Sequence, residues 1–469
     1  MQNISATLPS KVDVVVIGGG HAALCAAITA RERGASVAIV ECAPLHMRGG
    51  NSRHTRNLRA SHLGPTATMT DTYDTDEYWN DLARVTDGQT NPELAHLMIR
   101  ESEPLVEWLS NRGVRFQPAL RGTLGLSRTN AFFLGGGKAL LNSLYLHAEK
   151  IGVICVYDME AFDIDMTSDQ HGTTTVTSIR VRHEGIERCI EVNAAVVASG
   201  GFQANNEWMR EIWGPAADNF LIRGTPYNTG TMLRRLIDAG MACVADPTQC
   251  HAVAIDARAP KFDGGIVSRL DCVCFSVVVN QNGERFYDEG EDFWPKRYAI
   301  WGRLVAQQPQ QIAYAIIDSK VTQNFMPSVF PAIEAPTLNA LADLIDVDRA
   351  ALQTTINQFN TALVPGHYDS DVLDKCHTQD LAPAKSHWAL PIDQAPFYAY
   401  PLRPGITFTY LGLEVNENAQ VIASQGGPCP NLLAAGEIMA GNILGQGYCA
   451  GTGMTIGGVF GRIAGAHAS

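Results

Sequence analysis

A glycine-rich segment near the start of the chain has the residue types that bind a phosphate. Gly18, Gly20 and Ala23 follow the spacing G-x-G-x-x-G/A. The first glycine permits a tight turn, the second lets the backbone approach a pyrophosphate, and the alanine lets a helix pack closely on its strand. The N–H groups at the start of that helix would face the phosphate charge, so the segment predicts a dinucleotide site.

The residues around this motif predict the elements that position it. The apolar run from Val12 to Ile17 is typical of a strand buried on both faces, and a helix is predicted from about His21 to Arg33, ending at Gly34. A second strand ends at Glu41, whose carboxylate can accept hydrogen bonds from a ribose and disfavours a 2′-phosphate. The unit therefore favours FAD or NAD over NADP.

Composition is that of an ordinary globular protein whose 469 residues suffice for two or three domains. Lys plus Arg total 35 against 48 Asp plus Glu, and the net charge of -13 argues against a nucleic-acid binder or a polybasic membrane anchor. No apolar run approaches the ~20 residues that span a bilayer, and the polar start MQNISATLPSK has no signal-peptide core. We therefore expect a cytoplasmic protein.

The cysteine pattern predicts reduced, mostly buried thiols. The eleven cysteines include no C-x-x-C pair, and the closest two, Cys272 and Cys274, are expected to point to opposite faces of one strand. We expect no metal site, structural zinc or iron–sulfur cluster in this chain. A nicotinamide-disulfide reductase is excluded, because it would need a second nucleotide fingerprint and a redox cysteine pair.

The remaining patterns predict a first domain that is interrupted by a second. Helices are predicted over 76–85, 92–112 and 135–150, strands over 153–157 and 194–201, and an exposed hairpin meander over 163–192. Long loops with one strand over 275–280 follow, and a last strand at 431–437 and a small-residue helix at 451–468 return to the first domain. The predicted division is 1–245 and 396–469 for the first domain and 246–395 for the inserted one.

Taken together, these segments resemble the fumarate reductase and succinate dehydrogenase flavoprotein family over nearly the whole chain. The resemblance implies an α/β fold: a Rossmann-like FAD-binding domain with a doubly wound parallel sheet, and an inserted α+β capping domain for the substrate. The segments that carry it, in chain order, are Gly18-Gly-Gly20 with Glu41, Arg48-Gly-Gly-Asn-Ser52, Ala198-Ser-Gly-Gly-Phe202, Thr229-Gly230, Gln249 to His251, Asn282-Gly-Glu-Arg-Phe286, and Gly436-Glu437 before a glycine-rich helix.

The resemblance implies FAD as the cofactor, with its ADP half on the first βαβ unit. The loop from Gly49 to Ser52 would lie along the pyrophosphate and isoalloxazine, and Glu437 would hold the ribityl chain. His46 lies only three residues before Gly49, nearer than the histidine of covalently flavinylated relatives, so we expect noncovalent FAD. The positions implied for FAD binding are Gly18, Gly20, His21, Ala22, Glu41, Gly49, Gly50, Asn51, Ser52, Ala161, Ala198, Ser199, Gly200, Gly230, Glu437, Gly453, Met454 and Thr455.

The helix that starts near Gly453-Met-Thr455 would direct its first N–H groups at the flavin O2. Reduced flavin is anionic at N1 and O2, and a helix N-terminus stabilises such a charge by ~0.3 to 1 kcal/mol, more when buried.

Family chemistry implies roles for the downstream cations. A C–H bond beside a carboxylate breaks as hydride moves to or from flavin N5, while an adjacent carbon exchanges a proton. His251 would anchor a substrate carboxylate, and Arg297 would carry the proton, with Arg303 as the second choice for that role. Alternatively, either arginine pairs with a surface acid, and the acids nearby are Asp288, Glu291 and Asp292.

The chain departs from the family pattern at three positions. Ser268-Arg269 stands where relatives have Thr-Glu, so Arg269 replaces an acid used in proton relay and leaves proton exit unexplained. Two carboxylate ligands of relatives, a histidine and an arginine, are missing from Pro404-Gly-Ile-Thr-Phe-Thr409 and Asn442-Ile-Leu-Gly-Gln-Gly447. The gained cation suits a substrate with an additional negative charge. Further candidates for clamping carboxylates, or alternatively members of a solvated basic loop, are Arg53, His54, Arg56, Arg59 and Arg128.

Within the family, the segments RGGNSRHTRNLR, TNAFFLGGGKAL, DNFLIRGT, HAVAIDARAP and RFYDEGEDFWPKRYAIWGRL favour the members that oxidise tricarballylate, a tricarboxylate, to cis-aconitate. The expected partners are that small tricarboxylate and a separate iron–sulfur or haem membrane protein that reoxidises the flavin. Such a partner could hold the protein at the inner face of the membrane. No nucleic-acid partner is expected.

Two alternatives remain open at this point. One keeps the fold and changes the substrate to fumarate or succinate, aspartate, or a ketosteroid. The missing histidine and arginine count against the first two, and a steroid site would need an apolar pocket with a tyrosine acid. The other is a flavoprotein without dehydrogenase activity, such as a component of a cobalamin-pathway system.

Overall fold

The computed structural model describes residues 8–119, 126–170, 172–264 and 268–469, with only the backbone at Pro295 and Lys296. In this part of the chain the helices are α1 (His21–Glu32), α2 (Thr75–Thr86), α3 (Pro92–Ser110), α4 (Leu126–Thr129), α5 (Gly136–Lys150), α6 (Asn206–Trp213), α7 (Thr231–Asp238), α8 (Trp294–Arg297), α9 (Trp301–Ala306), α10 (Leu338–Leu344), α11 (Arg349–Thr361) and α12 (Thr452–Ala468).

The strands are short except in the meander and in one long antiparallel strand. They are β1 (Lys11–Ile17), β2 (Val37–Val40), β3 (Asn57–Arg59), β4 (Asn130–Phe132), β5 (Ile154–Val156), β6 (Glu160–Ser168), β7 (Thr174–His183), β8 (Ile186–Val197), β9 (Leu221–Ile222), β10 (Cys243–Val244), β11 (Cys250–Asp256), β12 (Val277–Asn280), β13 (Ala313–Asp318), β14 (Ile333–Ala335), β15 (Leu363–Val364), β16 (His377–Thr378), β17 (Phe397–Thr409), β18 (Gly412–Leu413), β19 (Gln420–Ile422) and β20 (Pro428–Ala434).

The chain divides into two compact units. The first comprises Met1–Ile212, Gly224–Cys250 and Phe408–Ser469, and the second comprises Trp213–Arg223 and His251–Thr407. The predicted boundaries differ from this division at three places. Residues 213–223 and 396–407 belong to the second unit, and residues 246–250 belong to the first. Within 213–223, β9 pairs in parallel with β17, so this short segment is part of the sheet of the second unit.

The first unit is built on a parallel sheet, as the sequence predicts. Its strand order is β19-β20-β8-β1-β2-β5, and all pairs except β19 with β20 are parallel. The register aligns the last residues of five strands in one row, so the turns that follow them begin side by side. These aligned residues are Ala434, Val197, Ile17, Val40 and Val156.

The predicted meander is an antiparallel extension of the same sheet. β6 pairs with β7, and β7 pairs with β8. β8 is then the link between the two parts, because its second half pairs in parallel with β1.

The second unit contains a six-stranded, mainly antiparallel sheet. Its central order is β11-β17-β13-β12, with β14 and β9 also paired to β17. The apolar faces of α10 and α11 pack with β12 and β13 in one buried cluster that includes Val277, Ile316, Leu341 and Phe359. This α+β arrangement agrees with the predicted fold class.

The strand predicted from Phe275 begins two residues later, at Val277. A 3-10 turn, Val273–Phe275, precedes it, and the hydroxyl of Ser276 donates to the Val273 carbonyl at 2.8 Å. Cys272 and Cys274 are both buried in this turn region, so the prediction that they point to opposite faces of one strand is wrong.

Helices α1 and α12 pack with their backbones almost in contact. A Cβ at Gly461 would lie 2.5 Å from the Ala22 carbonyl oxygen, and one at Gly465 would lie 2.2 Å from that of Ala26. Residues four apart lie on one face of a helix, so these glycines form a smooth face along α12. This contact sets the position of the start of α12 relative to the start of α1.

We expect Gly461→Ala to lower the free energy of unfolding by about 1–3 kcal/mol, because the methyl group must displace a backbone carbonyl. The ~1 kcal/mol gain in helix propensity is too small to offset this. Urea unfolding measures the difference. Gly64→Ala is the control, since a Cβ at Gly64 has no neighbour within 4 Å. A Gly461→Ala protein as stable as the wild type would contradict the packing argument.

Candidate functional site

The turn after β1 has the shape that a pyrophosphate requires. Gly18 has φ +106°, and a Cβ there would lie 2.4 Å from the Ala198 carbonyl oxygen. Only glycine accepts both that backbone angle and that close approach. Gly20 is the N-cap of α1 and supplies no side-chain cap, and the His21 N–H donates to Ser52 Oγ at 3.1 Å.

Glu41 is a buried carboxylate in the row of strand ends. It accepts hydrogen bonds from the Ala43 N–H at 2.9 Å and the Gly49 N–H at 3.4 Å. Burial raises the pKa of Glu41 above its ordinary value, although these bonds oppose the shift. The Glu41 carbonyl also accepts from the Met159 N–H at 3.0 Å, which brings the start of β6 and Ala161 to the same edge.

The Gly49 to Ser52 loop is held within the first unit by the side chain of Asn51. Asn51 Oδ1 accepts from the Thr225 N–H at 2.9 Å. A Cβ at Gly50 would have Asn228 Oδ1 as its neighbour, at 3.8 Å, and one at Gly200 would lie 2.8 Å from Asn228 Nδ2. Asn228 therefore lies next to both predicted cofactor loops.

Glu437 is the second buried acid near the row of strand ends. Its Oε1 accepts from the Thr409 N–H at 3.0 Å, and its Oε2 accepts from Asn228 Nδ2 at 3.4 Å. Burial raises the pKa of Glu437 to about 7, against the effect of the hydrogen bonds from Thr409 and Gly201. Thr409, in the segment where relatives have a substrate histidine, is thus used to hold Glu437.

The start of α12 is fastened by polar contacts from β3 and β4. The Ala450 carbonyl accepts from Arg59 Nε at 3.0 Å and from Asn130 Nδ2 at 2.7 Å. The Thr455 hydroxyl donates to the Arg59 carbonyl at 2.5 Å, so it serves to fix the helix. His21 is fully buried, and burial lowers its pKa to about 4.

The N–H groups at the start of α12 have acceptors within the chain. Gly453 N–H donates to Tyr448 Oη at 3.0 Å, and those of Met454 and Thr455 donate to the Gly451 carbonyl at 3.1 and 3.3 Å. The predicted contact of these groups with the flavin O2 stays a prediction.

One buried hydroxyl group of the first unit suits a ligand that carries phosphate or hydroxyl groups. Ser199 Oγ is buried and has no hydrogen-bond partner among the described residues, beside the narrow turn at Gly18. A buried hydroxyl without a partner is costly, and a ligand hydroxyl or phosphate would supply one. Gly230, by contrast, packs against Phe202 and Trp208, and a Cβ there would lie 2.5 Å from Phe202 Cβ.

The second unit brings His251 together with two arginines. His251 is on β11 and 3% exposed, and Arg223, which directly follows β9, is 6% exposed. The pKa of His251 lies well below its ordinary value, chiefly through burial and further through repulsion by Arg223 and Arg269. The histidine is therefore neutral beside two cations. Arg223 Nε donates to Thr407 Oγ1 at 3.0 Å.

Arg269 contacts an acid and one aromatic ring. Its Nη2 donates to Asp271 Oδ2 at 2.7 Å, and Trp294 Nε1 donates to the other oxygen of Asp271 at 2.7 Å. Its guanidinium lies 5.1 Å from the ring centre of Tyr298, whose edge also contacts the His251 ring at 5.5 Å. Although burial opposes the charge, Asp271 keeps the pKa of Arg269 above its ordinary value.

The Nε atom of Arg269 differs from Nη2 in its surroundings. It is buried and has no hydrogen-bond partner in the part of the chain that the structure describes. Ser268, the residue before it, is fully buried.

The two candidate proton carriers have different surroundings. Arg297, at the end of α8, forms an ion pair with Glu291, and it directly precedes Tyr298 of the arginine–histidine cluster. Arg303 is on α9, whose Gly302 packs against the backbone of Ala252, the neighbour of His251 in β11.

The arginines of the basic loop in the first unit have partners in the protein. Arg53 donates to the His46 carbonyl at 2.8 Å, and Arg128 pairs with Glu77. Arg59 is 1% exposed and contacts Asp81 at 3.4 Å. Arg56 lies over the Phe132 ring at 5.9 Å, and His54 is buried.

Arg223 is the site residue that the sequence analysis did not single out. Its signal was present in DNFLIRGT, as a lone cation between an apolar pair and a glycine. Asn228 and Asp271 carried no comparable signal, because their roles depend on contacts with distant segments. Asn442, in the segment where relatives have an arginine, donates to the carbonyls of Leu413 and Met439.

The described residues form neither a metal-binding group nor a membrane-spanning helix. Within the described ranges no three His, Cys, Asp or Glu side chains are placed to hold a metal ion. None of the described helices is long and apolar enough to cross a membrane.

Known proteins resemble the chain over almost its whole length. The NADH:fumarate oxidoreductase of Klebsiella pneumoniae (strain 342) is 26% identical over 98% of this chain, which spans only 48% of that relative. Urocanate reductase of Eggerthella lenta is also 26% identical over 98% of this chain, which spans 75% of it. In fold, the chain is similar to the open conformation of a flavocytochrome c3 fumarate reductase, with a TM-score of 0.74 and 23% identity over 99% of this chain and 79% of that one.

A family model described as FAD binding domain matches residues 13–456. The match includes the turn at Gly18, both acids of the strand-end row and the start of α12. The chain therefore belongs to this FAD binding domain family, and FAD is its cofactor.

Proposed function

We propose that this protein is a tricarballylate dehydrogenase, an FAD-dependent enzyme that oxidises tricarballylate to cis-aconitate. The observation that carries the proposal is the buried cluster of the second unit, in which Arg223 and Arg269 lie beside a neutral His251 and Arg269 Nε has no internal partner. We call these three residues the cationic cluster.

The cationic cluster has the charge that a carboxylate substrate requires. Burying two guanidinium groups that both disfavour the charged form of His251 is costly unless anions compensate them, and Asp271 supplies one negative charge. A substrate carboxylate would add another and would give Arg269 Nε a charge-assisted hydrogen bond. Neutral His251 can donate to a second carboxylate oxygen through one ring nitrogen.

The residues of the first unit have separate roles in holding FAD. We assign the pyrophosphate to the start of α1 and the loop from Gly49 to Ser52, the adenosine ribose to Glu41, and the ribityl chain to Glu437. When bound, the flavin accepts the hydride of the substrate C–H bond. The FAD is expected to be noncovalent.

We assign the proton transfer to Arg297, with Arg303 as the second choice. Arg297 adjoins Tyr298, which contacts both His251 and Arg269, so the chain brings it to the edge of the cationic cluster. The reaction removes a proton from the carbon next to the one that loses hydride, and Arg297 would take it. A separate iron–sulfur or haem protein at the inner face of the membrane would accept the electrons.

Fumarate or a related unsaturated acid is the second candidate substrate. Relatives named for the reduction of fumarate and urocanate favour it, since both compounds carry a carboxylate beside a carbon–carbon double bond. Against it, Thr409 and Asn442 hold the protein's own groups in the segments where family members have carboxylate ligands. The gained Arg269 favours the acid with more negative charge.

The substrate assignment is tested by mixing the FAD-loaded protein anaerobically with tricarballylate, succinate, aspartate or a 3-ketosteroid. We expect tricarballylate to bleach the visible absorbance of the oxidised flavin. Arg297→Lys should retain FAD and lose the bleaching, because lysine lacks the planar guanidinium. Bleaching by succinate and not by tricarballylate would refute the substrate assignment, and full activity of Arg297→Lys would move the proton transfer to Arg303 or elsewhere.

The cationic cluster is tested with Arg269→Gln. Loss of a charge-assisted hydrogen bond costs about 1.5–3 kcal/mol, so the dissociation constant for tricarballylate should rise roughly 10- to 100-fold while FAD stays bound. Titration of the flavin spectrum with tricarballylate measures the change. Arg349→Gln, at an exposed arginine of α11 that pairs with Asp343, is the matched control and should bind like the wild type. Equal affinity of Arg269→Gln and the wild type would remove Arg269 from the site.

The environment of Glu437 predicts a pH dependence of stability. Its pKa is about 7 in the folded protein against an ordinary 4.5, so the folded state binds the extra proton between these values. The contribution of this group to the free energy of unfolding is therefore fully present below pH 4.5. It falls by about 3 kcal/mol as the pH rises through 7.

This effect is measured by urea unfolding of the FAD-depleted wild type and of Glu437→Gln. The pH range from 5 to 8 includes the pKa of about 7. We expect the wild type to lose stability relative to the variant as pH rises, since glutamine has no proton to lose. A difference that stays constant with pH would show that Glu437 titrates normally.

A further inference from the structure

Glu291 joins the expected proton carrier to a fixed hydroxyl group. One of its oxygens, Oε1, is ion-paired with Arg297 Nη2, and the other, Oε2, accepts from Tyr287 Oη at 2.7 Å. The Tyr287 ring meets Trp301 edge-on at 6.0 Å, and Trp301 is 1% exposed. The carboxylate of Glu291 is therefore held in one orientation toward Arg297.

The reaction assigned to this protein needs a proton acceptor beyond Arg297. Oxidation of a CH–CH bond releases a hydride and a proton, and a guanidinium that starts fully protonated must first give up one proton. Arg269 cannot take that proton, because it is a cation paired with Asp271. A carboxylate in direct contact with Arg297 can take it.

We propose that Glu291 is this acceptor and forms the proton exit of the enzyme, an inference that rests on the proposed function. A proton moves from Arg297 Nη2 to Glu291 Oε1, and the N–H bond breaks as the O–H bond forms. Arg297 then takes the proton from the substrate carbon as hydride leaves the adjacent carbon. Glu291 releases its proton to water, so the sum is substrate plus FAD giving the unsaturated acid, reduced flavin and one proton.

Exposure makes Glu291 suitable for proton release. Its side chain is 29% exposed and that of Arg297 is 31% exposed, so both ends of the pair reach solvent water. A carboxylate in contact with water exchanges protons readily, whereas the guanidinium of the buried Arg269, 9% exposed, does not.

The two neighbouring acids accept hydrogen bonds from other groups of the protein. Asp288 accepts from the hydroxyl and N–H of Ser386 at 2.5 and 3.0 Å, and from the Gly290 N–H at 2.8 Å. Asp292 Oδ1 accepts from the Phe293 N–H at 2.7 Å. Glu291, one of the three acids expected as surface partners of Arg297, forms an ion pair with it.

The test uses the FAD-loaded protein and anaerobic stopped-flow reduction of the flavin by tricarballylate. Glu291→Gln keeps an amide oxygen for Arg297 but removes the proton acceptor. We expect its rate of flavin reduction to fall about 100-fold with an unchanged KM, and its solvent isotope effect in D2O to increase. Glu291→Asp should recover much of the rate, and added formate should accelerate Glu291→Ala.

Formate rescue separates a proton acceptor from a residue that only positions Arg297. A positioning role predicts that Glu291→Gln stays active and that formate has no effect. Either result overturns the proposal. Glu334→Gln, at an exposed acid of β14 in the same unit, is the matched control and should react like the wild type.

Failure of the proposed function gives a different result. If none of the carboxylic acids reduces the flavin of the wild type, the dehydrogenase assignment and the proton exit are both refuted. If the wild type reacts and Glu291→Gln reacts equally fast, only the proton exit is refuted. Retained flavin absorbance confirms that each variant is folded, and the Asp variant with the formate measurement decides the outcome if Glu291→Gln loses its FAD.

Discussion

The alignment of five parallel strand ends is the constraint on which the proposed cofactor site depends. Because Ile17 is level with both Val40 and Val197, the turn at Gly18, the acid at Glu41 and the turn at Ala198 begin side by side. The same row continues to Ala434, three residues before Glu437. Strand pairing thus brings groups from four parts of the chain together at one edge of the sheet. Ligand sites of parallel sheets usually lie at this edge.

The contact of α1 with α12 completes this edge. Both helices begin near the strand ends, and glycines of α12 let the two backbones approach to a distance that no side chain allows. Arg59 and Asn130 then fasten the turn before α12 by its carbonyl group. The helix starts are therefore rigidly placed, which is the arrangement that electrostatic stabilisation of a bound anion needs.

Both units hold ionisable groups whose surroundings are unfavourable for their charge. Burial raises the pKa of Glu41 and Glu437 in the first unit and lowers that of His251 in the second. Such shifts are common where a ligand supplies the missing interaction, and uncommon in parts of a protein that serve only stability. Residues assigned to FAD and to substrate are thus among those whose charged form is disfavoured by burial.

The fold class and the dinucleotide site were predictable from sequence because they rest on local patterns. Strand, turn and helix at Gly18 follow from neighbouring residues, and the acid at Glu41 follows from where its strand ends. The 3-10 turn at Val273–Phe275 was not predictable in this way, since its residues are all apolar, like the three valines of the strand that follows. The placement of residues 213–223 in the second unit depends on pairing with β17, almost two hundred residues downstream.

By itself, the sequence determined which residue types are present to bind phosphate, ribose and carboxylate, and in what order they occur. Only the tertiary structure decided that Arg223 joins Arg269 and His251, that Thr409 holds Glu437, and that Glu291 pairs with Arg297. The physical reason is that no periodic sequence pattern relates the residues that form these contacts, so the sequence does not indicate which residues meet. Charge and hydrogen bonding act through space, over a few ångströms, and sheet pairing sets which residues come within that range.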